Sequence, residues 1–168
     1  MQRILDIDAQ LTRVFSDFED IAPGLPMQEI CYLADEQKIS QQNYAGLYLI
    51  EVRTADETVD LAEWIRVFNT EWEHEDYKRM FTPNVKKKRV AAHDVLKEWM
   101  PVYLGKSKNV GARVLEHINL ALDRTTFAMK IKARENMSAR VFRLRTLALP
   151  VANYDVVVPT RGIHARLS

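Results

Sequence analysis

Tyr103-Leu104-Gly105-Lys106-Ser107-Lys108-Asn109-Val110-Gly111-Ala112-Arg113-Val114-Leu115-Glu116-His117 carries the densest chemistry in the chain. Val102–Gly105 reads as a strand, and a helix is expected over 109–122. Asn109 is a suitable cap, and Val110, Val114, Ile118 and Ala121 form a buried stripe. Arg113 and His117 are four apart and therefore share a helix face. Gly105 permits a tight backbone turn and the close approach of a ligand. Tyr103 is expected to project from the strand end toward the helix that carries Arg113.

Upstream, Tyr44-Ala45-Gly46-Leu47-Tyr48-Leu49-Ile50-Glu51-Val52 is rich in aromatic and β-branched residues and predicts a second tyrosine-bearing strand. Between the two strands, residues 56–80 read as a helix through Val59, Leu61, Ile65, Phe68 and Trp72. Pro83 ends it, and residues 85–99 read as another helix, with Lys86, Lys87, Lys88 and Arg89 solvated. An amphipathic helix is expected over the first twenty or so residues, with Pro23, Gly24 and Pro26 as a turn. Downstream, Thr126–Ile131 reads as a strand, residues 137–148 as a helix stopping before Pro150, and Tyr154–Val158 as a β run.

The chain has 168 residues, 47% of them hydrophobic and 28% charged, which suits one ordinary globular domain. No stretch approaches the ~18–20 apolar residues of a membrane span, and the N-terminus lacks a signal-like apolar run. No membrane partner is expected. Cys31 is the single cysteine, so an internal disulfide and a cysteine metal cluster are excluded and an intracellular, cytoplasmic location is expected. The net charge of +1 hides a split: residues 1–76 hold five basic and seventeen acidic residues, and residues 77–168 hold nineteen and six. Such asymmetry is a pointer to nucleic acid, although two halves neutralising each other in one fold would read the same way.

Gly46, Tyr48, Tyr103, Gly105, Ser107, Asn109, Arg113 and His117 together resemble the motifs of the GIY-YIG nuclease family. That pattern is a glycine-apolar-tyrosine strand, a tyrosine-apolar-glycine strand, a polar turn, and a helix with arginine then histidine four residues on. The resemblance implies an α/β (α+β) fold: a small, mostly antiparallel three-stranded sheet flanked by helices. Here 54 residues lie between Tyr48 and Tyr103, which implies a helical insertion at about 53–100 within a nuclease domain of residues 44–168. Residues 1–43 would be an N-terminal helical extension. Insertion is tolerable because loop-closure cost grows only logarithmically with length.

The implied chemistry is hydrolysis of a phosphodiester in DNA, with one Mg²⁺ or Mn²⁺ per site; RNA is an open alternative substrate. By the resemblance, Tyr48 is the general base, Tyr103 orients water or phosphate, and His117 assists proton transfer. Arg113 suits the role of phosphate ligand because its rigid fork donates two hydrogen bonds to charge that grows on the non-bridging oxygens. Lys106, Ser107 and Lys108 would hold neighbouring phosphates, with Lys86, Lys87, Lys88, Arg89, Arg140 and Arg143 as further nucleic-acid contacts or as solvated faces. The family's metal-binding glutamate lies about a dozen residues before a proline-x-x-asparagine ending, here Pro150-Val151-Ala152-Asn153. Val141 stands near that place, so Glu135, the nearest carboxylate, is the assigned metal ligand, with Glu116 a weaker substitute. Without a completed metal site, the alternative is a non-catalytic protein that binds nucleic acid or a protein partner, the latter through the acidic N-terminal half.

Overall fold

The computed structural model describes Asp6 and residues 27–54, 59–74 and 95–149. Alternation builds its sheet. In Phe142-Arg143-Leu144-Arg145-Thr146, every second residue is buried and the arginines point the other way. This strand, β4 (Phe142–Ala148), pairs antiparallel with β2 (Gly46–Arg53), whose Tyr48, Ile50 and Val52 face the same core opposite Thr146, Leu144 and Phe142. Burying each of the aliphatic side chains in this set contributes ~1.5–3 kcal/mol. β1 (Gln28–Tyr32) flanks β4, and β3 (Trp99–Ser107) flanks β2, so the order is β1-β4-β2-β3 with all pairs antiparallel.

The α+β class agrees with expectation, but the sheet has four strands rather than three. The added strand, β1, lies in residues 1–43, read above as a helical extension; α1 (Glu36–Ser40) follows it. The helix expected over 137–148 is β4 for most of its length, because a period of two had been taken for a helical one. Thr126–Ile131 is not a strand: residues 120–130 run irregularly over the end of α3 (Val110–Asn119). The helix expected over 85–99 does not reach its predicted end, since residues 95–98 are irregular and Trp99 begins β3. The N-terminal helix, the remainder of 85–99, and the Tyr154–Val158 run lie outside the described residues, apart from Asp6, which is helical.

The insertion contributes α2 (Leu61–Trp72), shorter than the 56–80 expected, with Asp60 accepting from the Glu63 amide as its cap. Trp64, Phe68 and Trp72 recur at i, i+4 and i+8, with ring centroids 5.2 and 6.0 Å apart, and all three are buried. They join Ile50, Val52, Leu144 and the Val110, Val114 and Ile118 stripe of α3 in one core. Among the described residues, no helix is long and apolar enough to cross a membrane.

Candidate functional site

The site is built where β2, β3 and α3 meet. Register places Tyr48 opposite Gly105 and Ile50 opposite Tyr103, so both tyrosines stand on the face that α3 covers. A Cβ on Gly105 would lie 2.3 Å from Cζ and Oη of Tyr48 and 2.8 Å from Cε1 of Tyr103. The glycine is there because the Tyr48 ring occupies the space of a side chain, not because the backbone turns. The two rings stack with centroids 5.9 Å apart, and the His117 ring lies 4.5 Å from Tyr103 and 5.6 Å from Tyr48.

Hydrogen bonding fixes the protons. The Met129 amide donates to Nδ1 of His117 at 3.0 Å. In the neutral ring the proton therefore sits on Nε2, which donates to the Tyr48 hydroxyl at 2.8 Å. Burial, aided by the Arg113 charge, pulls His117 down to about 3, so the ring is neutral near pH 7. Burial pushes the Tyr48 phenol well above its ordinary value, with Tyr103 adding to the shift and Arg113 opposing it. Tyr103 and Arg113 are both near enough to that hydroxyl to act on its ionisation. Tyr48 and His117 are only 1% and 0% exposed, whereas Tyr103 and Arg113 are half-buried and form the accessible front of the cluster.

Arg113 is itself engaged, donating to the Glu116 carboxylate and to the Phe127 carbonyl. The four residues expected to be catalytic thus come together. Glu116 is within reach of a spacing argument, being three residues from Arg113 on one helix, whereas Phe127 and Met129 are not, because they act through main-chain atoms of an irregular segment.

The turn into α3 has another role than the one expected. The Ser107 hydroxyl bonds the Asn109 main chain, donating to its carbonyl at 2.7 Å and accepting from its amide at 3.0 Å. Asn109 caps the helix by accepting from the Ala112 amide at 2.9 Å. The Val110 and Gly111 amides donate to the carbonyls of Tyr44 and Gln42. The amides that would make this helix start an anion site are therefore spent inside the fold. Lys106 lies at the end of β3 and Lys108 is exposed in the turn that follows.

Two arginines expected on one helix face are separated. Arg140 makes a two-pronged contact with Glu71 of α2, at 2.9 and 3.0 Å. Arg143, on β4, bonds Glu51 and Glu29 at 2.6 Å each, on the sheet face away from Tyr48, with its guanidinium 4.3 Å from the Trp99 ring. Their charges are neutralised by carboxylates, so these two are not the open phosphate-contacting stripe that was expected. Lys86, Lys87, Lys88 and Arg89 lie outside the described residues. Glu135 is exposed on a 3₁₀ turn, Glu135–Met137, that packs on α2 rather than on α3. Val141 precedes β4 and offers no ligand atom. Among the described residues, no group of three His, Cys, Asp or Glu side chains could hold a metal ion, so this donor set does not fit the implied divalent ion. No family model, curated protein or solved structure matches the chain.

Proposed function

We propose that this chain is an endonuclease of the GIY-YIG type, hydrolysing phosphodiesters in DNA at the half-buried Tyr103 and Arg113. The observation that carries the reading is the convergence of Tyr48, Tyr103, Arg113 and His117, from three separate elements, on one cluster. A phosphate entering from the front meets the Arg113 guanidinium and the Tyr103 hydroxyl. The guanidinium donates to the non-bridging oxygens, whose charge grows as water attacks. Tyr48 and His117 lie behind them, packed against the Tyr103 ring, while Glu116 and the Phe127 carbonyl hold the guanidinium. The neutral Tyr48 phenol is a donor in the free protein, and a base role would require it to lose a proton that burial retains. The Mg²⁺ or Mn²⁺ implied by the resemblance does not fit the described donor set, and no step is assigned to it here.

That donor set favours a second reading: a phosphodiester-binding surface without turnover. One experiment separates the two. The purified protein and Arg113→Ala are incubated with supercoiled plasmid, single-stranded DNA and RNA, each with Mg²⁺ or Mn²⁺ and with chelator. Cutting that needs the metal and is lost in the variant supports the nuclease. Binding without cutting, falling steeply with salt, supports the surface. Neither cutting nor binding overturns both readings and leaves a protein partner for the acidic N-terminal half.

A further inference from the structure

The segment from Leu120 to Lys130 supplies both main-chain contacts that orient the site: the Phe127 carbonyl on Arg113 and the Met129 amide on His117. Its own shape is set from inside. Lys130 is fully buried, and its ammonium donates to the Leu122 carbonyl at 3.1 Å and to the Arg124 carbonyl. It is also the one non-glycine residue of the described chain with a left-handed backbone, at φ 56° and ψ 47°. Glycine would adopt that conformation without strain. A lysine there means the position needs the ammonium, which gathers two carbonyls that would otherwise turn to water. Arg134 closes the other side by donating to the Met129 carbonyl at 3.1 Å.

We propose that Lys130 is a positioning residue for the Arg113 and His117 side chains. Its ammonium folds residues 122–130 into the form that gives the Met129 amide to His117 Nδ1 and the Phe127 carbonyl to Arg113. The purpose assigned to Lys130 rests on the phosphodiester reading above, but its geometry does not. By holding Nδ1 as an acceptor, the loop forces the ring proton onto Nε2 and toward Tyr48.

The test is proton–nitrogen spectroscopy of the His117 ring in the full chain, for the wild type, Lys130→Gly, Lys130→Met and Lys130→Arg. The wild type should show an unprotonated Nδ1 and a protonated Nε2. Lys130→Gly relieves the backbone strain and Lys130→Met retains the bulk, yet both should shift the Nδ1 signal toward a mixture of the two tautomers. Lys130→Arg should restore the wild-type signature. An unchanged Nδ1 signal in both Lys130→Gly and Lys130→Met overturns the proposal. If these variants do not fold, the wild type decides. The Lys130 ammonium protons should exchange with water at least tenfold more slowly than those of exposed Lys97, and equal rates overturn the proposal. Failure of the nuclease reading would appear separately, as a wild type that neither cuts nor binds while the His117 signature stands.

Discussion

The Tyr48 hydroxyl accepts a hydrogen bond from His117 Nε2 at 2.8 Å, and both side chains of this pair are buried on the core side of the sheet. The ring's other bond, in which Nδ1 accepts from the Met129 amide, survives only while the imidazole is neutral. A cationic ring would have to donate from Nδ1 as well, directly at an N–H that also donates.

Stability should therefore fall as acid is added. The unfolded histidine takes a proton near its ordinary value of 6.5, whereas the folded one resists until about 3. Between those values the unfolded state binds more protons, so stability rises with pH through the window and is lost as pH falls. From pH 7 to pH 5, His117 alone should remove about 2 kcal/mol. Urea unfolding of the wild type and His117→Leu at both values checks this. The wild type should lose that much more than the variant, and equal losses would show that the ring titrates normally. At pH 7 the variant should itself be less stable by about 1–3 kcal/mol for each buried group it leaves unpaired.

Gly105→Ala should disturb the same pair from the opposite strand. Its methyl would sit 2.3 Å from the end of a tyrosine ring that is 1% exposed and pinned by His117, so the ring cannot swing out. An overpacked contact of this kind costs ~1–3 kcal/mol. Urea titration measures the loss, and Gly105→Ala combined with Tyr48→Leu should recover part of it, because the colliding atoms are then gone. No recovery would mean that the cost arises elsewhere in β3.

How much of this was visible beforehand depends on the signal each residue gives. Tyr48, Tyr103, Arg113 and His117 were legible because a strand and the first turns of a helix keep typed residues at fixed spacings. β4 is hard to see because Arg140 and Arg143 also suit a charged helix face, while the deciding pattern is the alternate burial of Phe142, Leu144 and Thr146, the last of them polar. β1 was passed over because Gln28-Glu29-Ile30-Cys31-Tyr32 buries only one side chain fully and takes its place from pairing with β4, a partner more than a hundred residues away. Lys130 has no local signal at all, since its burial follows from how residues 122–130 close around it.

Arg140 and Arg143 should behave as structural groups. Replacing Arg143 with alanine leaves Glu51, 5% exposed, with only a 3.9 Å approach from Arg145. A buried carboxylate that loses its partner costs ~3–5 kcal/mol, and the remaining approach of Arg145 places Glu51 toward the low end. If DNA binds, the slope of log affinity against log salt should stay at the wild-type value in Arg143→Ala. A direct phosphate contact would instead reduce it by about one unit. Parallel urea and salt titrations decide between the two, and a reduced slope with unchanged stability would return Arg143 to the nucleic-acid surface.

Glu116 offers a test of Arg113 in the opposite direction. Its carboxylate, 46% exposed, already takes one edge of the guanidinium that the proposed function assigns to a phosphate. The two anions compete for the same donors, so neutralising the internal one should help the external one. An exposed pair of this kind is worth only ~0.2–1 kcal/mol, which corresponds to an affinity gain of about 1.4- to fivefold for Glu116→Gln. Fluorescence anisotropy with a short single-stranded oligonucleotide at low salt would detect it. The gain should vanish in Glu116→Gln combined with Arg113→Ala, since the freed group is then missing. A gain that persists there would come from the general loss of negative charge, and no gain in either variant would place the phosphate away from Arg113.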